Sequence, residues 1–178
     1  ADYNRTVLTI AGDPDAVAEA AYQVIKSALE NIDMSTQKGE HPRIGAVDVC
    51  PFVPLSGISM DECSELAKKL AFRVSKELGI CSFLYGAAAI SPDRELLSDL
   101  RRGQYEGFRK RLEDCGPHLP DYGPLDWNET TERFGAVVIG ARNILVAYNV
   151  NVDEKDAEVS RKAGSLVRST GRLLKKED

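Results

Sequence analysis

The sequence predicts an α/β protein in which helices pack on a mixed β-sheet. Segments with the two-residue period of a strand alternate along the chain with segments whose apolar residues recur at helical spacing. A final pair of strand-like segments is separated by a short turn, and the two strands of such a hairpin must be antiparallel. The 178 residues are enough for one domain with its own apolar core, without disulfide or metal staples.

The first third of the chain reads as strand, helix and strand. Thr6 to Ile10 alternates and is rich in β-branched residues, which predicts a strand. Asp13 can cap a helix whose first residue is a proline, and apolar residues at helical spacing then extend from Pro14 to about Asp33. Ala46 to Val53 is the next predicted strand, and Pro51 within it indicates a sheet edge or a bend.

The second predicted helix has the clearest ends in the chain. Ser59 and Glu62 form a capping box before a helix from about Met60 to Leu78, and Gly79 closes that helix. Ile80 to Tyr85 follows as a short, almost wholly apolar strand, a pattern typical of strands covered on both faces.

The remaining third contains a long segment without any hydrophobic period. Pro92 begins a third predicted helix, and Gln104 to Leu112 forms a fourth. Cys115 to Arg133 is rich in Pro, Gly, Asp and Asn and is predicted to be a loop, a length at which loops are usually functional or disordered. The last elements are two hairpin strands and a helix, predicted over Phe134 to Ile139, Ile144 to Val150 and about Glu154 to Val167.

These elements together give the class α/β (α+β), with helices on a mixed sheet in a ferredoxin-like type of sandwich. Residues 1–167 form the predicted domain, and residues 168–178 read as a basic linker. The chain begins almost directly on a strand and ends in that linker, so we expect it to be one subdomain of a longer protein.

Composition limits the classes of function. The net charge of −5 argues against nucleic acid as the main partner, and no apolar run approaches the length of a membrane span. The four cysteines contain no CxxC pair, and the two histidines are far apart in sequence, so no metal site is predicted. Free thiols in a reducing cytoplasm are expected, buried at Cys50, Cys63 and Cys81 and accessible at Cys115.

The densest cluster of reactive side chains is the polar loop, which we define as Lys38–Arg43. It places Lys38, His41 and Arg43 beside Glu40, immediately before a buried strand. The cations could bind carboxylates, and Glu40 could orient the imidazole through a hydrogen bond. The alternative is a solvated loop with an inactive histidine.

Two further segments are candidates for ligand contact. Between Gly123 and Gly135, Trp127 and Phe134 flank a polar run on which a flat ligand could stack, although a lone tryptophan can equally plug the core. Arg5 at the head of the first strand could reach a ligand carboxylate or form a surface pair. Phosphate-loop and serine-hydrolase motifs are absent from the sequence.

The chain resembles a known family over nearly its whole length. The matching runs occur in colinear order: Asn4–Val7, Asp33–Ser35, Lys38–Pro54, Gly57–Cys63, Phe83–Gly86, Asp121–Pro124, Gly140–Arg142 and Tyr148–Asn151. They resemble the amino-terminal subdomain of glutamate formiminotransferases, which in animals forms part of formiminotransferase-cyclodeaminase. The long run around Gly39-Glu40-His41-Pro42-Arg43 is the most specific part of the likeness.

The resemblance implies an activity and roles for particular residues. Family members move a formimino group from N-formimino-L-glutamate to tetrahydrofolate in histidine degradation, and some move a formyl group between 5-formyltetrahydrofolate and glutamate. The catalytic acid/base of the family falls on His41, and Lys38, Arg43 and Arg5 become candidates for substrate carboxylates. The family's folate-binding loop falls on one continuous run, Gly123, Pro124, Leu125, Asp126, Trp127, Asn128, Glu129, Thr130, Thr131, Glu132, Arg133, Phe134 and Gly135.

The resemblance also implies partners. Tetrahydrofolate would be a cosubstrate and no metal would be needed, while a second formiminotransferase subdomain after Asp178 would complete the folate tunnel. A homodimer is also compatible with the resemblance. It implies that a first strand and helix of the subdomain precede Ala1. The alternative is a non-catalytic folate-binding or regulatory subdomain that acts alone.

Overall fold

The computed structural model describes residues 3–115, 118–145, 153 and 156–167. The chain divides into two compact units, residues 1–144 and 145–178. No helix among the described residues is both long and apolar enough to cross a membrane. The same residues contain no group of three or more His, Cys, Asp or Glu side chains placed to hold a metal ion.

A three-stranded parallel sheet forms the centre of the first unit. Its strands are β1 (Val49–Phe52), β2 (Cys81–Gly86) and β3 (Ala136–Ala141), in the order β1-β3-β2. Val49 lies opposite Val138, and Cys81 lies opposite Ala136. All six residues of β3 are buried, because this strand is paired on both edges and covered on both faces.

Two long helices cover one face of the sheet. They are α1 (Pro14–Asn31) and α2 (Met60–Leu78). Ala67 and Val74 of α2 are fully buried in one apolar cluster with Val137 and Ile139 of β3. The alternation along β3 sends the intervening side chains to the other face.

Short helical segments cover the second face. They follow β2 as a 3₁₀ turn (Pro92–Arg94), α3 (Leu97–Leu100) and α4 (Gln104–Glu113). Leu100 and Phe108 are fully buried against Phe83 and Val138. Helix α5 (Glu129–Phe134) then leads into β3.

The second unit contains α6 (Ala157–Val167), which has no buried residue. The predicted helix over Glu154 to Val167 therefore exists from Ala157 onward. Of the predicted hairpin strand Ile144 to Val150, Ile144 and Leu145 are exposed and outside any strand, and residues 146–150 lie outside the described part.

The predicted α/β class with helices packed on a sheet is confirmed. Helix α2 has the predicted bounds, with both hydrogen bonds of the capping box and Gly79 as C-cap at φ 68°. All strand pairings in the described sheet are parallel, and antiparallel contacts there are single bridges, Gly45 with Gly135 and Ser82 with Tyr122.

The predicted strand Thr6 to Ile10 is wrong for this structure. The segment is assigned to no strand, and Val7 is 74% exposed. A sequence period shows that a segment suits a sheet, but a strand also needs a partner, and no backbone pairing reaches these residues in the described part of the chain.

Three other boundaries also differ from the prediction. The third helix shrinks to a 3₁₀ turn and a four-residue α3. Strand β1 begins at Val49, because the backbone bends at Ala46 and Val47 and is not paired as a strand there. The predicted loop Cys115 to Arg133 contains most of α5, whose N-cap Asn128 accepts a hydrogen bond from the Thr131 amide.

Candidate functional site

The polar loop lies at the amino ends of β1 and β3. The carbonyl of Ile44, just after the loop, accepts a hydrogen bond of 3.1 Å from the Ala136 amide, and the Ala46 amide donates one of 2.8 Å to Phe134. Open parallel sheets usually build their sites beyond the carboxyl ends of the strands. The reactive cluster of this chain lies instead at the amino ends of the strands.

Two glycines permit this close approach of loop and strand. A Cβ atom on Gly45 would lie 2.1 Å from the Ala136 carbonyl oxygen, and one on Gly135 would lie 2.3 Å from that of Ile44. Gly135 also has a φ of 76°, a region that side chains disfavour. The loop and β3 can meet in this way only with glycine at both positions.

His41 is half-buried, and no hydrogen bond or ion pair to its ring is found among the described residues. Glu40 is exposed and has no contact there that would orient the imidazole. A ring whose nitrogens have no protein partner and can be reached by a ligand can exchange protons with that ligand.

Arg43 is held by a carboxylate of the protein itself. Its guanidinium donates to both oxygens of Glu106, at 2.9 and 2.6 Å, and its side chain is only 17% exposed. This pair lowers the pKa of the Glu106 carboxyl, chiefly through the hydrogen bond. The sequence did not indicate Glu106, which is 63 residues away along the chain. Because both terminal nitrogens of the Arg43 guanidinium donate to Glu106, the geometry favours a structural role for this arginine over a contact with substrate.

Lys38 and Arg5 are both exposed, and the segments that carry them are in contact. The Asn4 side chain donates 2.8 Å to the Lys38 carbonyl, and a Cβ on Gly39 would lie 2.7 Å from the Tyr3 carbonyl oxygen. The start of the chain therefore packs against the polar loop and brings Arg5 to its edge. Neither cation forms an ion pair within the described residues.

Much of the Gly123–Gly135 segment is tied to the scaffold. Gly123, at φ 106°, packs against the Ile80 carbonyl, and the Pro124 carbonyl accepts a hydrogen bond of 3.2 Å from the Cys81 thiol. Thr131 is fully buried. Arg133 donates to the carbonyls at the end of α1, Leu29 and Glu30, both at 3.0 Å.

Trp127 packs within an aromatic group rather than standing free. Its ring lies 5.9 Å from that of Tyr105 and 6.2 Å from that of Phe108, between centroids. This packing supports the interpretation of Trp127 as a plug on the core. Tyr105 also joins the two candidate segments, because its amide donates to the Arg43 carbonyl at 3.0 Å and its hydroxyl to the Glu132 carbonyl at 2.6 Å.

A cavity of about 510 Å³ adjoins the first residues of the same segment. Phe72 and Leu125 on its wall are about half exposed, and Tyr122 meets the Phe72 ring edge-on at 5.8 Å. The Lys76 ammonium lies 5.7 Å from the centroid of Phe72. The volume is typical of small-molecule sites. Sequence reasoning named Gly123 and Leu125 but missed Phe72 and Lys76, whose only signal was their shared face on α2.

The chain is similar in sequence to known proteins. The family model described as the formiminotransferase domain, N-terminal subdomain, matches residues 1–142. The chain is 44% identical over 173 residues to a glutamate formimidoyltransferase of Streptococcus pyogenes, covering 96% of this chain and 56% of the relative. It is 48% identical over 152 residues to a formimidoyltransferase-cyclodeaminase of Gallus gallus, covering 85% of this chain and 27% of the relative.

A glutamate formimidoyltransferase of Thermoplasma acidophilum is 42% identical over 170 residues, or 94% of this chain and 54% of the relative. The chain thus spans about half the length of these two glutamate formimidoyltransferases, and less of the formimidoyltransferase-cyclodeaminase. Its identity to them and the match of the family model agree on the same region. The chain belongs to the formiminotransferase family and corresponds to its N-terminal subdomain.

Proposed function

We propose that the chain takes part in transfer of a formimino group from N-formimino-L-glutamate to tetrahydrofolate, as a step of histidine degradation. The observation that carries the proposal is His41, half-buried with both ring nitrogens unpartnered among the described residues, in a loop edged by exposed cations. The names of the relatives support transfer of a formimidoyl group in general.

His41 is the proposed acid/base. An amine of tetrahydrofolate attacks the amidine carbon of the donor, and the imidazole takes the proton that this nitrogen loses. The C–N bond to glutamate then breaks, and the imidazolium returns the proton to the departing amine. One imidazole can perform both transfers in turn.

The Gly123–Gly135 segment and the adjoining cavity are the proposed contact with folate. Phe72 and Tyr122 offer aromatic surface to a flat ring, while Lys76 offers a cation to a carboxylate. Lys38 and Arg5 would attract the carboxylates of the glutamate donor. A second subdomain is the proposed partner, since the matched relatives are about twice as long or longer. The proposed location is the cytoplasm.

The test replaces each histidine of the chain in turn, within the complete natural polypeptide. We expect His41→Asn to lower kcat by about 10²–10⁴, the usual contribution of a general acid/base. His118→Asn is the matched control, because the backbone there has φ 59° and asparagine tolerates that conformation. Turnover should be measured with the formimino and the formyl donor, and folate affinity by calorimetry.

The result separates the two candidate functions. Loss of turnover with unchanged folate affinity in His41→Asn, and normal turnover in His118→Asn, supports the transferase. Retention of more than half of wild-type turnover in His41→Asn removes the histidine from the chemistry. Folate binding without turnover of either donor in the unmodified protein favours the non-catalytic binding subdomain.

A further inference from the structure

A half-buried ion pair lies directly behind the polar loop. Oδ1 of Asp48 accepts hydrogen bonds of 3.0 Å from the Ile44 amide and 3.0 Å from Nε of Arg101, while Oδ2 accepts from Nη2 of Arg101. Both side chains are only 17% exposed. Asp48 thus joins Ile44, the residue that follows the loop, to the guanidinium of Arg101 at the end of α3.

The backbone after His41 is fixed by two further hydrogen bonds. The Arg43 carbonyl accepts from the Tyr105 amide, and the Ile44 carbonyl accepts from the Ala136 amide. Only Pro42, whose ring fixes φ, separates His41 from Arg43. Because the imidazole has no partner of its own among the described residues, its place depends on this anchored backbone.

The short segment Arg101–Glu106 supplies the partners of both ion pairs at the loop. Arg101 holds Asp48 from the end of α3, and Glu106 holds Arg43 from the first turn of α4. Between them the backbone has φ 83° at Gly103 and φ 55° at Gln104. A left-handed conformation is unfavourable for a residue with a side chain such as Gln104, so surrounding contacts must maintain this turn.

We propose that Asp48 and Arg101 are positioning residues for His41, acting through the Ile44 amide. The inference rests on the proposed role of His41 as acid/base. The pair does not touch substrate; it fixes the loop so that the imidazole meets the reacting nitrogen. A displacement of about 1 Å at such a site can lower the rate by about 10²-fold.

The first test measures kinetics in the complete natural polypeptide. We expect Asp48→Asn, which keeps an acceptor for Ile44 but loses the charge, to lower kcat by about 10- to 100-fold with KM changed less than threefold. Arg101→Lys keeps the positive charge but loses the two parallel N–H donors of the guanidinium. Its kcat should therefore lie between those of Asp48→Asn and the wild type. Asp99→Asn is the matched control, since Asp99 pairs with Arg102, which is 81% exposed.

Loss of stability alone must be distinguished from loss of position. Val74→Ala removes buried volume on the other face of the sheet and serves as a destabilised reference. The proposal requires Asp48→Asn to lose more kcat than Val74→Ala at a temperature where both remain folded. An equal loss in the two variants, or normal kcat in Asp48→Asn, overturns it.

The second readout is the imidazole itself, observed by NMR. His41→Asn removes the ring signals of His41 from the spectrum of the complete natural polypeptide and thereby assigns them. Asp48→Asn should shift the His41 ring signals and speed amide exchange at Ile44, while Asp99→Asn should do neither. Faster exchange at Ile44 with unchanged His41 signals overturns the positioning role. If His41→Asn leaves turnover intact, the proposed function fails, and the ring signals still decide whether the pair positions His41.

Discussion

Among single residues, the four cysteines show most directly how burial controls reactivity. All are free thiols, as predicted: Cys63 and Cys81 are buried, Cys115 is exposed, and Cys50 is half-buried, less than its strand pattern predicted. Burial raises the pKa of Cys50 and of Cys81 to about 11. The thiolate is the reactive form, so these two thiols should be slow at neutral pH although Cys50 is partly accessible.

Thiol labelling gives a direct test. At pH 8 we expect one fast phase, lost in Cys115→Ser, and slow reaction of the other three cysteines. Labelling of Cys50 should accelerate up to about pH 11 as its thiolate forms. Because the folded pKa values lie above the ordinary value of 9.0, the unfolded chain loses these protons first, and stability should fall from about pH 9 to 11. Fast labelling of Cys50 at pH 8 would contradict the raised pKa of its thiol.

Trp127 carries a buried indole nitrogen that has no hydrogen-bond partner among the described residues. Trp127→Phe keeps an aromatic ring against Tyr105 and removes this unpaired donor, whose burial costs about 1–3 kcal/mol. We expect little change in the free energy of unfolding, because the lost volume offsets that gain. Trp127→Ala should cost about 3 kcal/mol, near the lower end for a large aromatic residue. Urea unfolding measures both, and equal costs would argue against packing as the role of this ring.

At the scale of elements, two glycines in the helical segments should respond to alanine with opposite signs. Gly79 ends α2 at φ 68°, where alanine is strained by about 1–2 kcal/mol. Gly107 lies inside α4 with open space around its missing Cβ, so alanine there should stabilise by about 0.8–1 kcal/mol. Thermal unfolding of Gly79→Ala and Gly107→Ala compares them. The same sign in both would mean that backbone conformation does not control these positions.

The contrast between α2 and the segment Thr6 to Ile10 shows what a sequence can predict. The ends of α2 depend on groups within a few residues of each other, Ser59 with Glu62 and Gly79 with Ser75, so local pattern located them. A strand depends on a partner far along the chain, and the pattern at Thr6 to Ile10 could not show whether one is present.

At the candidate site too, sequence could show local groups but not partners that are far apart along the chain. The polar loop could be identified because its reactive groups are consecutive in sequence. The anchors of that loop could not, since Glu106 is 63 residues from Arg43 and Arg101 is 53 from Asp48. Asn128 and Thr131 were a local helix signal for α5, but the surrounding turn residues outweighed it in the prediction.

In the first unit as a whole, a buried ion pair joins β2 to the segment that covers its outer edge. The Asp121 carboxylate accepts from the Leu84 amide at 2.7 Å and from Arg94 at 2.9 Å, and Arg94 also donates to the Leu119 carbonyl. The side chains of Asp121 and Arg94 are 4% and 10% exposed. An uncovered strand edge would invite pairing with another chain, so this contact protects the sheet as well as stabilising it.

The ion pairs of this unit should therefore contribute very unequally to its stability. Asp121→Ala leaves the Arg94 guanidinium buried without its carboxylate and the Leu84 amide without its acceptor, which should cost about 3–5 kcal/mol. Glu113→Gln disrupts an exposed pair with Arg109 and should cost less than about 0.5 kcal/mol. Urea unfolding compares the two variants. Since an uncovered β2 edge exposes backbone groups, Asp121→Ala should also aggregate sooner than Glu113→Gln; similar stability and aggregation would show that water, rather than Asp121, can satisfy Arg94.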